Sequence, residues 1–286
     1  MVKCGIDIGG TNIKFGLFFE NRNPYYFRVK TPKEKEEIIP TIKRTIESKI
    51  NLDEILGFTV AIPGVIKDDN VIYAPNTNIL GLNIKKELSL ALNNSNIIIE
   101  NDANLQALAE SKASNLSDMI LISIGTGLGG GIIINNQIHN HNGFAGEIGH
   151  IKVHFGKNSR QCGCGKYGCA EAYVSCKAIV KEYNEINNTN INAKEIFDLE
   201  HQGDTLARNC INSTARYLAI TIADIVAVLG IKNVRITGGL SNAGESFLRR
   251  VRYYYPRYSV SNMEEISIES ATLKDKAGVT AAKYLL

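Results

Sequence analysis

The sequence predicts an α/β fold with two cores, made by duplicating one sheet design. Three observations carry that prediction. Strand-like and helix-like segments alternate, the pattern of sheets covered by helices. Residues 2–19 ("VKCGIDIGGTNIKFGLFF") and 119–134 ("MILISIGTGLGGGIII") share one plan: an apolar run, a glycine-rich turn and a second apolar run. A chain of 286 residues is also long enough for two medium cores.

The elements follow in order. β-Branched and large apolar residues fill the runs of both hairpins, and their glycines are expected to supply positive φ angles. Residues 33–49 are charged and helix-like, and "ILGFTVAIPG" reads as a buried strand ending at Pro63-Gly64. "IIIE" (97–100) is a short strand before a helix from about Asn104 to Ser114. The Asn-rich segment 184–193 reads as a surface loop. Over 205–229, Leu206, Cys210, Tyr217, Leu218, Ile222, Ile225 and Val226 recur at helical spacing, and Gly230 stops the run. The strand "VRITGG" follows, then a helix after Ser241.

With 44% hydrophobic and 21% charged residues, the composition is that of an ordinary globular protein. A net charge of +3 gives no reason to expect nucleic acid or an anionic membrane as partner. The start, "MVKCGIDIGG", lacks the apolar run and cleavage site of a signal peptide. No apolar stretch is read as reaching the ~20 residues a spanning helix needs. A cytoplasmic location with reduced thiols is expected.

In "DIGGTNIK", Asp7 ends a strand, and Gly9, Gly10 and Thr11 make a turn whose backbone N–H groups can approach phosphate oxygens. Lys14 adds charge, and Asp7 suits Mg²⁺, which takes one or two carboxylates and keeps several waters. Gly125, Thr126 and Gly127 offer the same chemistry in the second turn. Both turns join strand to strand, and neither is G-x-x-x-x-G-K-[ST]. That argues against a P-loop ATPase and against a dinucleotide-binding Rossmann unit. In "IIIENDANLQALAE", Asp102 lies at a strand-to-helix junction. It is either a base that accepts a hydroxyl proton or a cap for the following helix. Glu100 and Glu110 read as structural or exposed.

"CGCGKYGC" places Cys162, Cys164 and Cys169 within eight positions. Reduced thiols so close together fit a metal better than a disulfide. With a histidine they complete a Cys₃His set, a closed structural zinc site. His150 and His154 are both in reach. Cys4, Cys176 and Cys210 sit in apolar or helical contexts and read as core.

"DIGGTNIKFGLF", "ENDANLQALAE", "GTGLGGGIIINNQIHNHNGFAGEIGH" and "CGCGKYGCAE" together resemble the ROK family of sugar kinases, from residue 4 to the 280s. The resemblance implies a two-domain, internally duplicated actin-like (ribonuclease H-like) ATPase fold with an interdomain cleft. Its domains would be 1–115 plus 272–286, and 116–271, the last helix (about 275–286) returning to the first. It implies ATP with Mg²⁺ as cofactor, a hexose as substrate, Asp102 as base and a homodimer. It places Gly64, Asn76, Asn101, Asp102, Glu147, His150 and Glu171 around the sugar, and Gly238 and Gly239 against the adenosine. It also favours His150 over His154 as the fourth zinc ligand, so that zinc would tie two sugar-binding segments into one wall. The activity implied is phosphorylation of a hexose 6-hydroxyl, of the glucokinase type. N-acetylmannosamine kinase is the nearest alternative, and a non-catalytic sugar sensor a more distant one. The family's transcriptional repressors carry a DNA-binding domain ahead of this body. Only six residues precede Asp7, so none is expected here.

Overall fold

The computed structural model describes residues 1–286 apart from 68–69, 74–78, 142 and 241–243. Its first sheet begins with Val2–Ile8 (β1), Asn12–Phe18 (β2) and Tyr25–Lys30 (β3). Ile55–Ile62 (β4) follows, then the small hairpin Val65–Lys67 (β5) and Asn70–Tyr73 (β6), and Ile97–Asn101 (β7). β1 runs antiparallel to β2 and parallel to β4, β2 is antiparallel to β3, and β4 is parallel to β7. The order is β3-β2-β1-β4-β7. β4 is buried at every position but Leu56, the continuous apolar run expected of a central parallel strand.

The second sheet contains Met119–Ile124 (β8), Leu128–Ile134 (β9), Gln137–Ile138 (β10), Asn233–Thr237 (β11) and Ser267–Ser270 (β12). Its order is β10-β9-β8-β11-β12, with β8, β11 and β12 parallel and β9 antiparallel to β10. Strand for strand, third–second–first–fourth–fifth is repeated. The duplication read from two hairpins therefore extends over five strands in each sheet.

Helices cover these sheets through apolar stripes. Ile38–Glu47 (α1) buries Ile38, Ile42 and Ile46, and Ile84–Leu92 (α2) buries Ile84, Leu88 and Leu92, both at four-residue spacing. Asp102–Ala113 (α3) buries eight of its residues, Ala103 and Ala107 among them, and is closely packed. Beyond the second glycine turn come Cys176–Asn187 (α4), Ala193–His201 (α5), Thr205–Leu229 (α6) and Glu245–Tyr254 (α7). Ala277–Thr280 (α8) and Ala282–Leu285 (α9) end the chain. In α6, Leu218, Ile222 and Ile225 are buried, each contributing about 1.5–3 kcal/mol. Gly230 ends it in the left-handed conformation, φ +68°. By length and composition α6 would be apolar enough to cross a membrane, contrary to the reading that no stretch is; more than half of that window is buried in the protein.

The chain packs as two compact units: Met1–Ser117 with Gly131–Ala145 and Asp275–Leu286, and Asp118–Gly130 with Gly146–Lys274. In the first, α8 lies directly on β1. A side-chain carbon at Gly5 would overlap the Val279 carbonyl. The segment read as a loop over 184–193 is shorter than expected. α4 continues to Asn187, Asn188 ends it in the left-handed conformation, and Asn192 opens α5 with a capping box shared with Glu195.

Candidate active site and metal centre

The first glycine turn is held by its own sheet. Asp7 pairs in register with Lys14, and the Gly9 N–H donates to the Asn12 carbonyl at 3.1 Å. Thr31, just beyond β3, braces the turn from the side. Its hydroxyl donates to the Gly9 carbonyl and its N–H to the Thr11 carbonyl. Gly10 and Thr11 are exposed. Asp7 is buried, and Lys14 Nζ lies 3.5 Å from its carboxylate while also donating to the Asp275 carbonyl. Burial pushes the Asp7 carboxyl up, and the Lys14 ammonium opposes that shift. The carboxylate is the ligand type a hydrated Mg²⁺ takes, and the Lys14 ammonium is the charge such an ion would have to share it with.

Also in the first unit, β7 runs into α3 at Asn101. The Asn101 side chain caps the helix, accepting from the N–H groups of Ala103 (2.9 Å) and Asn104 (3.2 Å). Its amide donates to the Gly64 carbonyl at 2.9 Å, so Asn101 and Gly64 are brought together. Gly64 has φ +109°, a conformation that favours glycine. The cap is therefore Asn101, and Asp102 opens the helix half-buried, one oxygen accepting from the Ala103 N–H.

Glu100, read from sequence as structural or exposed, is the hub of this junction. It accepts from the Asn101 N–H (2.8 Å), from Asn104 Nδ2 (3.1 Å), and from Asn140 Nδ2 at both oxygens (2.9 and 2.7 Å). No sequence signal tied Asn140, forty positions away, to it. Glu110 is fully buried and accepts from Ser114. Asn76 lies outside the described residues.

In the second unit, the Gly125 N–H donates to the Gly127 carbonyl, and the Cys176 N–H donates to the Gly125 carbonyl. Gly238, at φ +93°, packs on the backbone of Ile124, and Gly239 lies against Cys176. Gly125, Gly238 and Gly239 thus meet at one end of β8, with Thr126 exposed beside them. Cys4 and Cys210 are buried, and burial pushes the Cys210 thiol up to about 11.

The cysteines and one histidine converge. His150 Nδ1 and the sulfurs of Cys162, Cys164 and Cys169 all lie within 4.8 Å of one another. Cys162 Sγ is 3.7 Å from His150 Nδ1, and Cys164 Sγ is 3.8 Å from Cys169 Sγ, with all three thiols free. A tetrahedral zinc with Zn–S of about 2.3 Å and Zn–N of about 2.0 Å spaces sulfurs about 3.8 Å apart, and sulfur from nitrogen about 3.5 Å. The residues fit zinc. His154, the rival ligand, instead lies 3.1 Å from the Tyr217 hydroxyl and beside the Tyr173 ring. His150 Nε2 lies 3.7 Å from Glu147, so one ring edge faces the sulfurs and the other a carboxylate.

Two sets of contacts at the cluster were not visible in the sequence. Lys152 Nζ donates to Cys169 Sγ at 2.9 Å, placing a positive charge beside three thiols. Glu171, on the short turn after Cys169, accepts from the Leu128 N–H at 3.1 Å and from the Cys162 thiol at 3.3 Å.

The sequence profile described as ROK family matches residues 3–286. A glucokinase of Halalkalibacterium halodurans is 29% identical over 312 residues, spanning 99% of this chain and 94% of the relative. An N-acetyl-D-glucosamine kinase of Haemophilus influenzae is 31% identical over 304 residues, spanning 98% of each. The crystal structure of a ROK family glucokinase from Streptomyces griseus in complex with glucose and AMPPNP aligns with a TM-score of 0.82 at 29% identity, over 99% of this chain and 98% of that one. The repeated five-strand sheets are those of the actin-like ATPase fold found in these structures. With the profile running to the C-terminal residue and both glycine turns, the capped Asn-Asp junction and the Cys₃His cluster lying within it, this chain belongs to the ROK family.

Proposed function

We propose that this protein is an ATP-dependent sugar kinase that transfers the γ-phosphate of ATP to the 6-hydroxyl of a hexose, with glucose the first substrate to test. The observation that carries the reading is Asp102 at the first position of α3, fixed by the Asn101 cap and the Glu100 hub in a chain similar throughout to glucokinases. Phosphoryl transfer needs a group that takes the hydroxyl proton; the rest is positioning and charge stabilisation. Asp102 accepts that proton. Gly64, Asn76, Asn101, Glu147, His150 and Glu171 hold the sugar hydroxyls. One of the two Asn101 amide hydrogens is engaged by Gly64, leaving the other for a hydroxyl.

Gly9, Gly10, Thr11 and Lys14 hold phosphate, as do Gly125, Thr126 and Gly127, with Gly238 and Gly239 against the adenosine. Asp7 would hold Mg²⁺ through water, and the ion would neutralise charge on the triphosphate. His150, Cys162, Cys164 and Cys169 would hold zinc, which orders the loop and carries no step of the reaction. The protein acts as a homodimer, an expectation for size-exclusion chromatography.

The N-acetyl-D-glucosamine kinase relative favours a second reading, an N-acetylhexosamine substrate. A coupled ADP-release assay over hexoses and N-acetylhexosamines, with ³¹P NMR of the product, separates them. Turnover with a hexose and a 6-phosphate ester supports the first reading, and turnover confined to N-acetylated sugars supports the second. Sugar binding with no turnover on any member of the panel would leave a sensor instead.

A further inference from the structure

In the second unit the glycine turn is gripped by the segment that carries the metal ligands. The Leu128 N–H donates to Glu171 at 3.1 Å. A side-chain carbon at Gly127 would overlap the same carboxylate, and one at Gly149 would overlap the Leu128 carbonyl. One at Gly130 would meet the Ile148 side chain. The other Glu171 oxygen faces Cys162, a zinc ligand, at 3.3 Å. Glycine at 127 therefore makes room for a carboxylate from forty-four residues downstream, and Glu171 spans the gap between metal loop and turn.

We infer that Glu171 is a positioning residue for the nucleotide as well as a sugar ligand: by holding the Leu128 N–H it fixes the Gly125–Leu128 turn for phosphate and couples that turn to the sugar-binding loop. The inference rests on the proposed assignment of this turn to phosphate and of Glu171 to the sugar. Its logic is linkage. A sugar that immobilises Glu171 stiffens the turn before ATP arrives, and bound nucleotide must then tighten sugar binding by the same factor.

The test is calorimetric titration of Mg²⁺-AMPPNP, without sugar, into zinc-loaded protein. Glu171→Ala is expected to weaken the analogue about tenfold, the worth of one hydrogen bond to a charged group. Glu171→Gln keeps an acceptor oxygen for the Leu128 N–H and should recover most of that loss, which a purely electrostatic or folding effect would not allow. Glu147→Ala should weaken sugar but leave the analogue unchanged. Zinc content and circular dichroism report folding. If Glu171→Ala is unstable, Gly127→Ala, which displaces the carboxylate from the turn side, should give the same loss. Wild-type analogue affinity in Glu171→Ala, with Thr126→Val clearly weakened, would overturn the coupling and leave the turn's assignment standing. Wild-type affinity in both variants would overturn the assignment itself.

Discussion

At the first glycine turn the supports come from the strands around it; at the second they come from a loop that also carries the Cys₃His cluster. Gly9 is braced by Thr31 from the end of β3, and Asp7 and Lys14 face each other below the turn. Gly127 and Leu128 are instead braced by Glu171, which also touches Cys162. The two turns read alike in the sequence and occupy the same place in duplicated sheets. What differs is which neighbour is disturbed when one of them changes. Duplication preserved the strand order and left the surroundings free to diverge.

The largest expected effect lies outside both turns and sets the scale for the rest. Asp102→Asn should keep the fold and sugar binding while lowering kcat by ~10²–10⁴, the worth of a positioned general base. Near-normal turnover in a folded variant would remove Asp102 from the chemistry. The turns themselves are compared next. Gly10→Val should raise the KM for ATP and leave that for sugar near normal. Gly127→Val, whose side chain would enter the Glu171 carboxylate, should raise both by ~10–100-fold. Equal behaviour of the two variants would erase the contrast.

Lys152→Met sharpens it. Three thiolates and a neutral imidazole would leave a bound zinc with one surplus negative charge, which the Lys152 ammonium beside Cys169 would offset. Chelator competition should show zinc held ~10-fold less tightly, as for other neighbours of metal ligands. The first turn should not respond. The smallest effect is expected at Asp7→Asn. Burial disfavours the ionised carboxyl, so the apo protein should melt at a slightly higher temperature in differential scanning calorimetry even as Mg²⁺-ATP binding falls. A lower melting temperature would show that the Lys14 pair outweighs the burial.

Much of this was legible in the sequence. Both hairpins, the buried run Ile55–Ile62 and the long helix Thr205–Leu229 follow from apolar pattern and flanking glycines. The three clustered cysteines also followed, because three in eight positions constrain geometry by themselves, whereas the choice of His150 over His154 came from the family resemblance. What escaped depends on partners distant in the chain. The Asn140–Glu100 and Thr31–Gly9 bonds join residues forty and twenty-two positions apart and have no periodic signature. The glycines were read as suppliers of positive φ. Among the described residues none of the hairpin glycines has positive φ, which falls instead at glycines outside them such as Gly64, Gly230 and Gly238, and Gly127 is needed for the space Glu171 fills. Asp102 was weighed as a helix cap, yet its neighbour Asn101 has the extended backbone and side-chain reach for that task.

The central claim is that the cysteine cluster is a zinc clamp for the substrate-binding wall. Calorimetric titration of glucose, or of whichever sugar the panel selects, into zinc-loaded and zinc-stripped protein tests it most directly. One zinc per chain, sugar affinity reduced by about tenfold or more on stripping, and recovery on adding zinc back are the predicted results. Zinc-free protein with undiminished sugar affinity would contradict the account and leave the four ligands without a part in substrate binding.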